Sequence, residues 1–176
     1  MPSDPVATNK LKTAAVALLV VLLLVTAAGL AVIYSGLIDI AATRPHYAVT
    51  SWILQTTMEH SVERRAEAIS PPPAYHAGSK TMHHYKEMCE LCHGGPGKEP
   101  SEVGKGLRPQ PPSLVKAAPE LRDTEIFWVV KHGIRMTGMP AFGLTHPDAE
   151  LWEVVALVRS LPSTSPREYD KTARTH

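Results

Sequence analysis

The chain has 176 residues, 44% of them hydrophobic and 20% charged, which allows one folded domain plus accessories. Eighteen Lys and Arg against 17 Asp and Glu leave a net charge of +1, which excludes the clustered basic surface a nucleic-acid binder needs. Sixteen prolines and 6% aromatics argue for a small loop-rich domain rather than a large sheet, and neither an internal repeat nor a Gly-rich phosphate loop is visible.

Residues 1–12 form a short N-terminus carrying Lys10 and Lys12. Residues 13–38 contain no charge over 26 positions, more than the roughly 20 that span about 30 Å of hydrocarbon. The two lysines before the run, with Asp39 the first charge after it, leave residues 1–12 in the cytoplasm and export the rest. Tyr34 fits the outer interface. Ala27, Ala28 and Ala31 offer small-residue cleavage sites, so a signal peptide is the rival reading. A signal core is only about 7–15 residues, and the length here favours an uncleaved single-pass anchor. The expected location is the inner membrane, with the downstream domain on the periplasmic side.

Residues 39–76 comprise an amphipathic segment and a linker. Val49, Trp52, Ile53, Val62, Ala66 and Ile69 recur at three- and four-residue steps among Gln55, Glu59, Glu63 and Arg64, which predicts a helix from Val49 to Ile69. Two roles stay open: a dock for a partner subunit, or a helix lying on its own domain or on the bilayer. Pro71-Pro72-Pro73 then forms a stiff spacer. Residues 77–162 are the main foldable stretch, small enough to lean on a cofactor. Residues 163–176 are polar and are expected to be disordered.

The only cysteines are Cys89 and Cys92, followed directly by His93. A disulfide three residues apart would close a strained loop, and zinc would lack a second Cys pair. Cys-x-x-Cys-His is a haem-attachment signature: two thiols can add to the vinyl groups of one porphyrin edge, and the next imidazole can ligate the iron. One covalently attached haem c is therefore expected, bound by Cys89, Cys92 and His93. The candidate second axial ligand is Met139, in Met136-Thr137-Gly138-Met139-Pro140. A thioether opposite an imidazole raises the potential relative to two histidines. Met136 is the competing sulfur and His132 the competing imidazole, while His83 and His84 should lie on the proximal side. Around Thr124–Gly133 the sequence predicts a helix capped by Asp123 or Thr124 and ended by Gly133.

These residues resemble the class I cytochromes c, in the membrane-anchored mono-haem bacterial form. The resemblance rests on Gly78 and Tyr85 before the attachment motif and Gly94, then on Gly106-Leu107-Arg108-Pro109 and Pro111-Pro112-Ser113-Leu114. It continues through Gly133-Ile134, Thr137 to Phe142, and a final helix around Leu151-Trp152-Glu153-Val154-Val155. It implies an all-α haem domain in which Gly78 faces Trp152 at a close helix crossing. It also implies that a proline carbonyl, from Pro111 or Pro112, accepts from the proximal imidazole, and that Leu107, Leu114, Ile126, Val130, Ile134 and Phe142 wall the haem. Arg108 and Lys105 are candidates for propionate contacts, with a solvated surface charge as the alternative.

The expected function is single-electron transfer between respiratory or photosynthetic redox partners, as a carrier or as a complex subunit, without catalysis or a small-molecule substrate. The alternative is a haem enzyme or gas sensor whose sixth iron position stays open.

Overall fold

The computed structural model describes residues 5–78 and 80–172, which divide into two units with the boundary after Ala41. The first unit is built on α1, Pro5–Ser35. From Asn9 to Ser35 this helix is long and apolar enough to cross a membrane, with a mean hydropathy of 3.0. At 1.5 Å per residue that stretch covers about 40 Å, beyond the ~30 Å hydrocarbon core. Thr13, Thr26 and Ser35 satisfy their hydroxyls within the helix: Thr26 Oγ1, for one, donates to the Leu22 carbonyl at 2.8 Å, which removes an unpaired donor from an apolar surface. Gly36, with φ 68°, ends the helix, so Leu37 and Ile38 of the charge-free run lie beyond it.

The second unit opens with α2, Ala48–Ala66. Val62 and Ala66 are buried, and the Arg122 guanidinium donates to the Glu63 carbonyl at 3.2 Å. The C-terminal half of α2 therefore packs on its own domain, against the helix that begins at Asp123. Its N-terminal half keeps an open apolar face, with Trp52 67% exposed and Val49, Ile53 and Leu54 also exposed.

After the proline spacer come α3 (Thr81–Met88), α4 (Glu90–His93), α5 (Glu102–Gly106), α6 (Leu114–Ala117), α7 (Asp123–His132), α8 (Asp148–Ser160) and α9 (Pro166–Thr172). No strand occurs among the described residues, as the all-α expectation required. The apolar positions of α8 explain why it becomes the spine. Leu151, Trp152, Val154, Val155, Leu157 and Val158 recur at helical spacing and are buried, each contributing about 1.5–3 kcal/mol when fully withdrawn from water. Both α3 and α7 pack on it. The Phe127 ring stacks on Trp152 with centroids 4.2 Å apart, and Tyr75 lies tilted against the same indole at 5.0 Å.

Gly78 does not face Trp152 at a helix crossing. It precedes α3, and a side chain there would meet Glu153 Oε2 at 2.6 Å. The Gly78 N–H donates to Thr81 Oγ1 at 2.8 Å, and that hydroxyl donates to Glu153 at 2.7 Å, so polar bonds occupy the place assigned to close packing. The start of α7 also differs from expectation. Arg122 occupies the cap position, and Glu125 Oε2 accepts from the Arg122 N–H at 2.6 Å. Asp123 is instead drawn into a staple, accepting from the Tyr75 hydroxyl and from the Arg159 guanidinium, which also donates to the Ala118 and Leu121 carbonyls.

The larger correction concerns the tail. Residues 166–172 are helical and Tyr169 is fully buried. Its ring meets Tyr85 edge-on at 6.4 Å and fits against Gly95, where a side chain would come within 2.8 Å of the ring. Its hydroxyl donates to Glu90 at 2.5 Å. One aromatic ring outweighs the polarity of its neighbours. With Val62, Ala66 and Tyr75 upstream, it carries the packing beyond residues 77–162 at both ends. The last four residues of the tail, 173–176, lie outside the described residues.

Tyr169→Ala should cost about 3–5 kcal/mol, the range for emptying a buried aromatic site, whereas Tyr169→Phe should cost only about 1 kcal/mol for the lost hydrogen bond. Denaturant unfolding of the two variants checks this, and equal effects would mean that the ring contributes nothing. Burial alone would raise the Asp123 pKa, but the bonds from Tyr75 and Arg159 and the Arg159 charge outweigh it and hold the carboxyl below its ordinary value. The stabilisation is thus present above the unfolded pKa of about 3.9 and is lost as pH falls through the lower folded value. The stability gap between the native chain and Asp123→Asn, measured by urea unfolding, should shrink steadily below about pH 4. A gap independent of pH would contradict the staple.

Candidate functional site

The site begins where α3 passes into α4. The Cys89 N–H continues the α3 pattern by donating to the Tyr85 carbonyl at 2.8 Å, and the His93 N–H donates back to Cys89 O at 2.9 Å. One tight helical turn therefore carries both thiols and the imidazole. Gly94, with φ 69°, ends it, and a side chain there would meet Lys98 O at 2.4 Å, so only glycine fits. The buried Tyr85 hydroxyl donates to Gly94 O at 2.9 Å and anchors the exit. Both cysteines are free and half-buried, and burial, followed by the neighbouring Cys92, pushes the Cys89 thiol up to about 12.

The loop after the turn holds it from the other side. Ser101 caps α5 and also donates its hydroxyl to Leu91 O at 2.8 Å. Gly104 is buried against the turn so closely that a side chain would lie 2.8 Å from Leu91 O and 2.9 Å from Cys92 Cα. The same loop brings up the carbonyl of Pro112, to which His93 Nδ1 donates at 2.8 Å. Of the two prolines left open by the sequence, the structure selects Pro112, and Pro111 stands half-buried beside it. The bond assigns the proton to Nδ1 and leaves Nε2 with a free lone pair. Burial lowers the imidazole pKa and the Pro112 bond only partly offsets this, which favours the neutral ring.

A second loop carries Met139. Gly133, with φ 64°, ends α7, and a side chain there would meet Met139 O at 2.7 Å. Ile134 N–H donates to Met139 O at 3.2 Å, while Thr137 Oγ1 donates to Ile134 O at 2.7 Å and accepts from Met139 N–H at 3.1 Å. This closed turn leaves Met139 half-buried and turns Met136 out, 90% exposed. The loops of His93 and Met139 touch through Leu107, whose side chain would lie 2.8 Å from a side chain at Gly138.

The remaining candidates divide. Ile126 is in the core, Leu114, Val130 and Phe142 pack on it half-buried, and Leu107 and Ile134 are half-buried. Arg108 is exposed and folds back on its own loop, donating to Lys105 O at 3.0 Å and Leu107 O at 2.8 Å, and Lys105 is also exposed. His132 is exposed with its ring 5.0 Å from Trp128. His83 is paired with Glu87 at 3.2 Å, and His84 faces His146. Sequence reasoning named Thr137 only as part of its run, without its bonds to Ile134 and Met139, and missed Ser101 and the Glu90–Tyr169 bond. Ser101 had a readable signal in the Ser-x-x-Gly start of α5, but nothing local announces the Glu90–Tyr169 bond.

Gly104→Ala should disturb the turn from Cys89 to His93, because backbone rather than a flexible side chain opposes the new methyl group. A loss of about 1–3 kcal/mol is expected, with reduced yield of haem-loaded protein. Gly106→Ala, which meets nothing within 4 Å, should be tolerated. Haem-stained gels and denaturant unfolding of the two variants decide it, and equal behaviour would contradict the close approach.

Residues 76–158 match the model of the family described as cytochrome C oxidase, cbb3-type, subunit III. Neither the curated proteins nor the solved structures compared with the chain gave a match. With one turn carrying Cys89, Cys92 and His93 inside an all-helical domain, residues 76–158 belong to the cytochromes c.

Proposed function

We propose that the chain carries one haem c, attached through Cys89 and Cys92 and ligated by His93 and Met139, and passes single electrons between redox proteins. The observation that carries this is the His93–Pro112 bond at 2.8 Å, which commits one imidazole nitrogen and frees the other. When bound, haem c supplies a one-electron ferric–ferrous couple. The chain's own residues hold the imidazole neutral and oriented, close the attachment turn with Gly94 and Gly104, and present a thioether from the Thr137 turn. The half-buried Leu107, Leu114, Val130, Ile134 and Phe142 supply the apolar surroundings that restrict water.

The helix from Asn9 to Ser35 supports a single-pass anchor, and Lys10 and Lys12 support export of the domain to the periplasmic side of the inner membrane. The matched family's description names an oxidase subunit, which favours a place within or beside a terminal oxidase over a freely diffusing carrier. Anchoring then raises the local concentration of the domain near membrane partners.

Met139→His should leave a folded protein with a potential lower by on the order of 100 mV, because an imidazole stabilises ferric iron more than a thioether does. Met136→Leu should leave the potential and the far-red charge-transfer band of thioether-ligated ferric haem in place. Redox titration checks both. Loss of the band in the Met136 variant would mean the other sulfur is the ligand. Wild-type protein that lacks the band and takes up carbon monoxide stoichiometrically when reduced would favour the open sixth position.

A further inference from the structure

We propose that His84, His146 and Glu150 form a binding site for a divalent late first-row metal ion, of the zinc type, beside the attachment turn. The fold brings these three together from distant parts of the sequence: His84 lies in α3, His146 in the turn before α8, and Glu150 in the first turn of α8. One donor atom from each lies within 4.8 Å of the other two. Around a tetrahedral ion with bonds near 2.0–2.1 Å, donors stand about 3.3 Å apart, so side-chain rotation closes the remaining distance. The two imidazoles are half-buried and meet edge to face with centroids 5.8 Å apart.

Thr145 supplies His146 with an outer partner. Thr145 Oγ1 lies 2.9 Å from His146 Nδ1 and donates its own hydrogen to the Phe142 carbonyl at 3.3 Å. In the tautomer that carries its proton on Nδ1, His146 donates to this hydroxyl and keeps Nε2 as a lone-pair donor. Outer bonds of this kind fix the ring and raise ligand basicity at metal sites. Two imidazole nitrogens and one carboxylate oxygen suit zinc, nickel or copper(II) rather than calcium or magnesium, which prefer oxygen. Three protein ligands leave a further position for water.

The position gives the ion a structural consequence. The cleft holding His84, His146 and Glu150 is also lined by Met88 and Cys89. A metal bound there ties α3, just before the attachment turn, to the entrance of α8. It uses neither His93, Met139 nor the cysteine sulfurs, so the ion and the proposed iron ligation draw on different side chains.

The test is zinc binding by the haem-loaded full chain in detergent, read by isothermal titration and by metal content after dialysis. One zinc per haem is expected. His84→Gln and His146→Gln should each weaken binding by at least about tenfold, and Thr145→Val by about tenfold through the loss of the outer bond. His83→Gln should change nothing, since that neighbouring imidazole is exposed and paired with Glu87. Unchanged haem spectra establish that each variant is folded, and Thr145→Val, at an exposed position, serves if a histidine variant is not. Absence of saturable zinc binding, binding that survives the double change of His84 and His146, or an equal loss in His83→Gln would overturn the site.

Discussion

The turn from Cys89 to His93 must present two thiols and an imidazole in a fixed order, yet it has no core of its own, since none of its residues is fully buried. A turn this short is held in shape by what surrounds it. Tyr85 pins its exit through the Gly94 carbonyl, Ser101 pins its middle through the Leu91 carbonyl, and Gly104 approaches until a single methyl group would collide with backbone. Glu90, inside the motif, accepts from Tyr169 in the last helix. Three separate parts of the chain thus converge on one helical turn, and each tolerates little displacement.

The rest of the second unit transmits that constraint. Tyr85 reaches the turn from α3, which packs on α8, and α8 holds Trp152 between Phe127 and Tyr75. Arg159 at the end of α8 and Tyr75 from the linker both meet Asp123 at the start of α7. The far end of α7 leads through Gly133 into the turn that presents Met139. The loops bearing His93 and Met139 are therefore coupled twice, through this chain of packed helices and directly through Leu107 against Gly138. This double coupling fixes the two loops relative to each other, as the proposed ligation by His93 and Met139 would require.

What could be read from the sequence was chemistry written in local spacing. Cys89, Cys92 and His93 are adjacent, Gly133 stands where a helix must end, and α8 shows its apolar stripe openly. The choice between Pro111 and Pro112 could not be read, because adjacent carbonyls differ only in direction and the loop's path decides which one reaches the imidazole. The tail looked disordered because Tyr169 is one apolar residue among polar neighbours, and its burial depends on a socket made by Gly95 and Tyr85, more than 70 residues earlier. For the helix at Ala48–Ala66 periodicity showed an apolar stripe but not its cover, and the structure covers the half bearing Val62 and Ala66 while Trp52 stays open. His146 and Glu150 gave no signal, since their relation to His84 exists only in three dimensions.

The proposal that most needs testing is that His93 and Met139 would both ligate the iron of one haem. Proton–carbon NMR of the reduced full chain with labelled methionine methyl groups tests it most directly. Of the six methionines, one methyl should be displaced far upfield by the ring current of the porphyrin, and its loss in Met139→Leu should identify it as Met139. Six methyl groups at ordinary positions, or a displaced methyl belonging to Met136, would contradict the account.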